Sequence, residues 1–290
     1  MTTEPGKTLR ALVGERRGVL LPGAANALAA RIIEDLGFEA IYITGAGVTN
    51  TWLGLPDLGF IGLNEIAAHT SAIRDAVELP LVVDADTGFG NALNVRHTVR
   101  TLERAGANAI QLEDQKMPKR CGHFSGKEIV STDEMVGKIK AAIDARHSEN
   151  FLIMARTDSR AGEGFQAALD RCHAFAEAGA DITFLEAPES IDELAAIPAR
   201  IKVPQLVNLV IGGKTPIVST EELRGMGFSL ILYANVALQG AIRGMTDALG
   251  ALKEGRDVGE ASGLVATFKE RQRLVRKPLY DELENRYSEK

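Results

Sequence analysis

Eight short apolar runs punctuate the chain, and most are followed by a longer stretch in which apolar residues recur at helical spacing. The runs are GVLLPGA at 18–24, AIYITG at 40–45, LVVDAD at 81–86 and AIQLED at 109–114. They continue with FLIMARTD at 151–158, ITFLEA at 182–187, QLVNLV at 205–210 and LILYAN at 230–235. They are β-branched or aliphatic, as strands covered on both faces are. The intervening segments NALAARIIEDLG, NVRHTVRTLERAGA and FQAALDRCHAFAEAGA close on Gly37, Gly106 and Gly179. A glycine just past the last turn suits a left-handed helix cap.

Eight strand–helix units with no break in composition predict one α/β domain over 1–290, a (β/α)₈ TIM barrel. A doubly wound sheet is the competing architecture, but no G-x-G-x-x-G follows the first strand. After the eighth strand, one helix over about 238–252 would complete the barrel. A further helical segment, about 257–288, is left over, and a neighbouring subunit is the expected surface for it. The region from about 238 to 290 is therefore expected to serve oligomerisation.

Composition narrows the function classes. With 33 Lys and Arg against 39 Asp and Glu, the net charge of −6 gives no case for nucleic acid or an anionic membrane. No apolar run approaches the ~20 residues that cross a bilayer, and the N-terminus lacks a signal-peptide pattern. A cytoplasmic location follows as the expectation. Cys121 and Cys172 sit far apart in unlike settings, so a disulfide is not expected.

Charge concentrates where barrel chemistry is done, at the C-terminal ends of the strands. Asp84 and Asp86 end the third run, Glu113 and Asp114 the fourth, Arg156 to Asp158 the fifth, Glu186 the sixth, and Asn208 lies in the seventh. Two carboxylates two residues apart on a strand face the same way and repel unless a cation or proton lies between them. With Glu113 they form a hard oxygen set suited to Mg²⁺ or Mn²⁺. Alternatively, Asp84 caps the helix from Asn91 or pairs with Arg156. TGAG at 44–47 reads as a backbone cradle for a carboxylate or phosphate, or as a plain turn. Asp57, in NTWLGLPDLGF, reads as a turn-former or a catalytic group.

The loop QKMPKRCGHFSGKEIV, 115–130, carries Cys121 between Arg120 and Gly122, with Lys119 and His123 close by. Nearby positive charge lowers a thiol pKa, and Gly122 and Gly126 leave room for lid motion. General acid or base is the first role for such a thiol.

KRCGH after a strand ending LED, with GLPDLGF, DADTGFGN and ARTD, closely resembles the isocitrate lyase/phosphoenolpyruvate mutase superfamily. The resemblance covers nearly the whole chain. It implies a (β/α)₈ barrel whose eighth helix is exchanged between partners, usually in a homotetramer. It implies Mg²⁺ and 2-hydroxy or 2-oxo dicarboxylic acid substrates. Asp84 and Asp86 match metal-site carboxylates, with Glu113 behind them or bridged by water. Thr44, Gly45, Ala46 and Arg156 match the groups that hold the pyruvate- or glyoxylate-like portion. Cys121 and Gly122 fall on the gating loop, with His123 beside them as a substrate contact. Glu186 and Asn208 match residues that line the departing acid, and Tyr42 and Asp57 match groups near the breaking bond. The cysteine favours the carbon–carbon lyases. Methylisocitrate lyases carry an arginine where this chain has Gln239, which favours a smaller acid, although Arg276 remains available. The resemblance implies cleavage of a 2-alkylmalate such as 2,3-dimethylmalate. Methylisocitrate cleavage, oxaloacetate hydrolysis and phosphonate mutase chemistry are the alternatives, and a non-catalytic binding barrel stands behind them.

Overall fold

The computed structural model describes residues 4–119 and 127–288. Eight parallel strands close on themselves in sequence order: β1 (Val19–Ala24), β2 (Ile41–Ile43), β3 (Leu81–Asp84), β4 (Ala109–Glu113), β5 (Leu152–Thr157), β6 (Ile182–Leu185), β7 (Gln205–Asn208) and β8 (Leu230–Tyr233). β8 pairs back onto β1 from Val19↔Leu230 to Pro22↔Tyr233, so no strand edge is left open. The expected (β/α)₈ barrel is the fold observed.

Strand periodicity decides what enters the barrel. Val82, Ala109, Met154, Phe184 and Leu206 pack together inside. Val83, Ile110, Leu112, Ile153 and Ala155 point outward, into the helix layer. Two residues beyond each inner apolar position the chain places a polar one: Asp84, Gln111 and then Glu113, Arg156, Glu186 and Asn208. The barrel is therefore oily below and polar at its C-terminal mouth. Leu9, Leu12 and Val13 of the helix Pro5–Gly14 pack into the same inner cluster and close the other end.

The expected helices form over Ala27–Asp35, Ala92–Arg104 and Phe165–Glu177. Gly37, Gly106 and Gly179 take the predicted left-handed conformation, at φ of 81°, 97° and 100°. Most strands end before their apolar runs do. β2 stops at Ile43 because Thr44 caps a one-turn helix, Gly45–Val48, and β3 stops at Asp84 because Asp86 turns to φ 46°. The helix after β8 runs Val236–Lys253, and the tail divides into Phe268–Leu274 and Lys277–Tyr287.

Candidate active site at the barrel mouth

A cavity of about 60 Å³ opens at the C-terminal mouth. Tyr42, Thr44, Ala46, Asp57, Asp84, Glu113, Arg156, Glu186 and Asn208, all singled out from the sequence, line it. Gly45 and Asp86 lie directly beside it through Asp84. Cys121, Gly122 and His123 lie outside the described residues.

Asp84 and Asp86 do converge, but for a different reason from alternation along a strand. Asp86 lies past the end of β3 in the left-handed region, where its N–H donates to Asp84 Oδ1 at 3.2 Å. That backbone conformation is uncommon outside glycine, asparagine and aspartate and is concentrated at functional sites. Gly45 N–H donates to Asp84 Oδ2 at 3.3 Å. The TGAG turn thus directs the Gly45 N–H at a carboxylate of the protein, while Thr44 Oγ1 accepts from Gly47 N–H. A side chain on Gly45 would put its Cβ 3.1 Å from Asp84 Oδ2 and 3.5 Å from Asp86 Oδ1. Gly45→Ala must therefore push the Asp84 carboxylate aside.

Neither alternative role for Asp84 is seen. Asn91 itself caps the helix Ala92–Arg104, accepting from Leu93 and Asn94 N–H. Arg156 donates to both oxygens of Asp158, at 2.9 and 3.0 Å, and lies 3.5 Å from Glu113 and 4.0 Å from Glu186. Its guanidinium also sits 5.1 Å from the centre of the Phe184 ring. Burial opposes the Arg156 charge, but these carboxylates outweigh it and hold the group firmly cationic.

Three side chains that sequence reasoning passed over complete the site. Gln111 is buried mid-strand in β4; it accepts from Tyr42 Oη at 2.6 Å and donates to Asp84 Oδ1 and Glu113 Oε2 at 3.3 and 3.4 Å. An amide in the middle of the run AIQLED was its only signal. Lys119 was read as a neighbour of the thiol, yet its Nζ lies 2.5 Å from Asp57 Oδ1 and 2.8 Å from Asp86 Oδ1. Asn235 immediately precedes the helix Val236–Lys253, lines the cavity and accepts from Thr44 Oγ1 at 3.4 Å. Conversely, Arg276 is not at the cavity: it pairs with Glu34 at 3.0 Å on the outer face.

The electrostatics follow from burial. Burial, then the charge of Asp84, pushes the Tyr42 phenol well above 10, and its hydroxyl donates to Gln111 Oε1. Burial pushes Glu113 well above the usual carboxylate range against the pull of Arg156. Burial also raises Asp86 to about 7, with Lys119 opposing and Asp84 and Asp57 adding. Lys119 stays protonated because Asp86, Asp84 and Asp57 overcome its desolvation.

The donor set fits a hard divalent cation through Asp84 and Asp86, whose oxygens approach one point over Gly45. Among the described residues no three Asp, Glu, His or Cys side chains close around a metal. Glu113 lies beside this pair: its Oε2 is engaged by Gln111 and Arg156, while its buried Oε1 has no hydrogen-bond partner among the described residues, which leaves it able to meet a cation or one of its waters. Mg²⁺ characteristically takes one or two carboxylates and keeps its waters. Gly45→Ala is expected to weaken Mg²⁺ binding roughly 10- to 100-fold, as changes to groups that orient ligands do; calorimetric titration gives the value, and unchanged affinity would remove Gly45 from the site.

A pH dependence follows from Asp86. Its folded pKa of about 7 lies above the unfolded value, so the native state keeps a proton that the unfolded chain releases. That contribution to stability is present at low pH and is lost as pH rises through about 7. A cation must displace the same proton. The thermal shift produced by Mg²⁺ is expected to grow from pH ~6 to pH ~8 and then level off; a larger shift at the acid end would contradict this.

Comparison with known proteins identifies the family. Residues 9–253 match the family described as phosphoenolpyruvate phosphomutase. The chain is 44% identical to 2,3-dimethylmalate lyase of Eubacterium barkeri over 97% of each chain. It is 45% identical to 2-methylisocitrate lyase of Aeropyrum pernix over 86% of this chain and 80% of the relative. Among solved structures, oxaloacetate acetylhydrolase bound to 3,3-difluorooxalacetate superposes with a TM-score of 0.91 at 33% identity, covering 97% of this chain and 96% of the other. 2,3-Dimethylmalate lyase superposes with a TM-score of 0.91 at 32% identity, covering 99% and 96%. Phosphonopyruvate hydrolase in complex with oxalate and Mg²⁺ gives 0.87 at 29% identity, covering 98% and 99%. The chain belongs to the phosphoenolpyruvate phosphomutase family, and through it to the PEP mutase/isocitrate lyase superfamily.

Proposed function

We propose that this protein is a Mg²⁺-dependent carbon–carbon lyase that cleaves a 2-alkylmalate, with 2,3-dimethylmalate giving pyruvate and propionate as the leading reaction. The observation that carries the reading is one cavity in which Asp84, Glu113, Arg156, Glu186 and Asn208 meet below Asp57 and Lys119. Mg²⁺, with Mn²⁺ as a substitute, would be held by Asp84 and Asp86 and would lower the pKa of the substrate 2-hydroxyl.

The chain's own groups do the rest. Arg156, with the Thr44–Ala46 turn, holds the carboxylate of the pyruvate half. Asp57, paired with Lys119 Nζ at 2.5 Å, takes the hydroxyl proton through a water molecule. As the C2=O bond forms, the C2–C3 bond breaks and its electron pair passes into the enediolate of the propionate half. Asn208 Nδ2, which donates to Glu186 Oε1 at 3.5 Å, is the preorganised donor for that half. Cys121 delivers a proton to the carbanion carbon, with Gly122 and His123 as substrate-binding residues. Tyr42 does not act as the base; its hydroxyl, fixed on Gln111, sets the orientation of the Asp84 carboxylate.

Substrate size is read from a smaller cavity that shares Val210 and Asn235 with the first. Leu209, Ile211, Tyr233, Val236 and Gln239 also line it. Among the described residues it offers no cation to a third carboxylate, so it suits an alkyl branch better than the extra acid arm of methylisocitrate. With Mg²⁺ present, release of a 2-oxo acid from 2,3-dimethylmalate is expected to exceed that from methylisocitrate, 2-methylmalate and oxaloacetate in kcat/KM. Preference for methylisocitrate or oxaloacetate would reassign the substrate.

The helix Val236–Lys253 supports the expected assembly. Of its eighteen residues only Ala251 is buried, while Ile242, Met245, Leu249 and Leu252 form an exposed apolar stripe. A second copy that exchanges this helix would cover the stripe, in a cytoplasmic homotetramer of helix-swapped dimers. No helix is long and apolar enough to cross a membrane among the described residues. Light scattering is expected to give four times the 31.1 kDa chain mass, and Leu249→Glu is expected to lower it.

A further inference from the structure

The loop that carries Cys121 leaves and rejoins the barrel through a short neck. Gln115 and Ile129 form an antiparallel bridge, Lys116 N–H donates to Glu128 O at 2.8 Å, and Val130 N–H donates to Asp114 O at 2.8 Å. Both arms end in lysines that reach inward: Lys119 to Asp57 and Asp86, and Lys127 to Asp158 at 2.7 Å. What fixes the neck lies behind the strands, away from the cavity. Asp114 is fully buried and does not line the cavity. Its Oδ1 accepts from Asp158 N–H at 2.9 Å, and its Oδ2 accepts from Thr157 Oγ1 at 2.6 Å.

The remaining contact comes from Arg171, on the inner face of the helix Phe165–Glu177. Its Nη1 donates to Asp114 Oδ2 at 3.2 Å, on the outgoing arm, and to Val130 O at 3.0 Å, on the returning arm. Its Nε pairs with Glu163 at 3.1 Å, which fixes the plane of the guanidinium. One buried nitrogen therefore ties both arms together, and the Asp114 carboxylate holds them to the end of β5. We propose that Arg171 is a positioning residue: by clamping Asp114 to Val130 it sets where Lys119 and Lys127 enter the site. An arginine suits this task because its planar fork can hold Glu163 while a third nitrogen spans both arms. The geometry does not depend on which acid is cleaved; only the kinetic part of the test rests on the proposed function.

The test is hydrogen–deuterium exchange of the full-length protein, wild type against Arg171→Met. Peptides covering 114–119 and 127–130 are expected to exchange roughly tenfold or more faster, while those of β3 and β7 keep their protection. Removing a buried partner can unfold a protein, because it strands a charge. The double variant Arg171→Met/Asp114→Asn removes both charges and is expected to keep the fold while still loosening 127–130. Arg171→Lys, which can supply one donor nitrogen but not the fork, is expected to fall between Arg171→Met and wild type. Neck peptides that exchange at the wild-type rate in the folded variants would overturn the proposal. So would equal acceleration in β3 and β7, which marks a merely structural residue. On whichever substrate the wild type turns over, kcat is expected to fall roughly tenfold or more with KM changed less than about threefold. A wild-type kcat with a loosened neck would overturn the positioning role.

Discussion

Asp84→Ala is expected to lose metal-dependent turnover, by about three orders of magnitude or more, since a bound cation supplies several kcal/mol of charge stabilisation. The reasoning is local. Asp84 Oδ2 accepts from Gly45 N–H, and Oδ1 accepts from Gln111 and from Asp86 N–H. Removing it takes away one carboxylate of the pair and also frees the Gln111 amide that fixes Tyr42. Asp86 alone would then face Lys119, which lies 2.8 Å away and neutralises it. Steady-state assay with added Mg²⁺, beside a calorimetric titration, separates loss of the metal from loss of substrate binding. Full turnover in this variant would show that the carboxylate pair does not hold the metal.

Cys121→Ala is expected to lower turnover roughly 100-fold or more, the range of a positioned general acid. Cys121→Ser is expected to do much the same, because a hydroxyl is a far weaker acid than a thiol. The loss should fall on kcat, while Mg²⁺ affinity stays unchanged, since Asp84 and Asp86 are untouched. The second cysteine provides a control. Cys172 is fully buried, and burial raises its thiol well above its ordinary pKa. Inactivation by a thiol reagent is therefore assigned to Cys121 alone. An alkylated enzyme with normal turnover would remove the thiol from the mechanism.

The barrel was legible because its signal repeats. Eight apolar runs, most of them separated by a helical stretch, admit few closed architectures, and the inward polar positions fall two residues beyond inward apolar ones. The strand ends were less legible. Runs such as LVVDAD and AIYITG stay apolar or small past the point where Asp86 and Thr44 turn the backbone, and composition does not record φ. The site carboxylates, Arg156 and Asn208 were visible as charges and amides that apolar strands would not otherwise tolerate. Gln111, Lys119 and Asn235 were not, because each acts through a partner far away in sequence. Tyr42 meets Gln111 across 69 residues and Lys119 meets Asp57 across 62. Arg276 illustrates the opposite error: a cation available on paper is spent on Glu34, on the outside of the barrel.

The central claim is metal-dependent cleavage of one carbon–carbon bond at the barrel mouth. Its most direct measurement is proton NMR of purified protein with 2,3-dimethylmalate and Mg²⁺, run with and without a chelator. The account predicts pyruvate and propionate in equal amounts, formed together, and abolished by the chelator. Products in any other ratio, or cleavage that continues at full rate after the metal is removed, would contradict it.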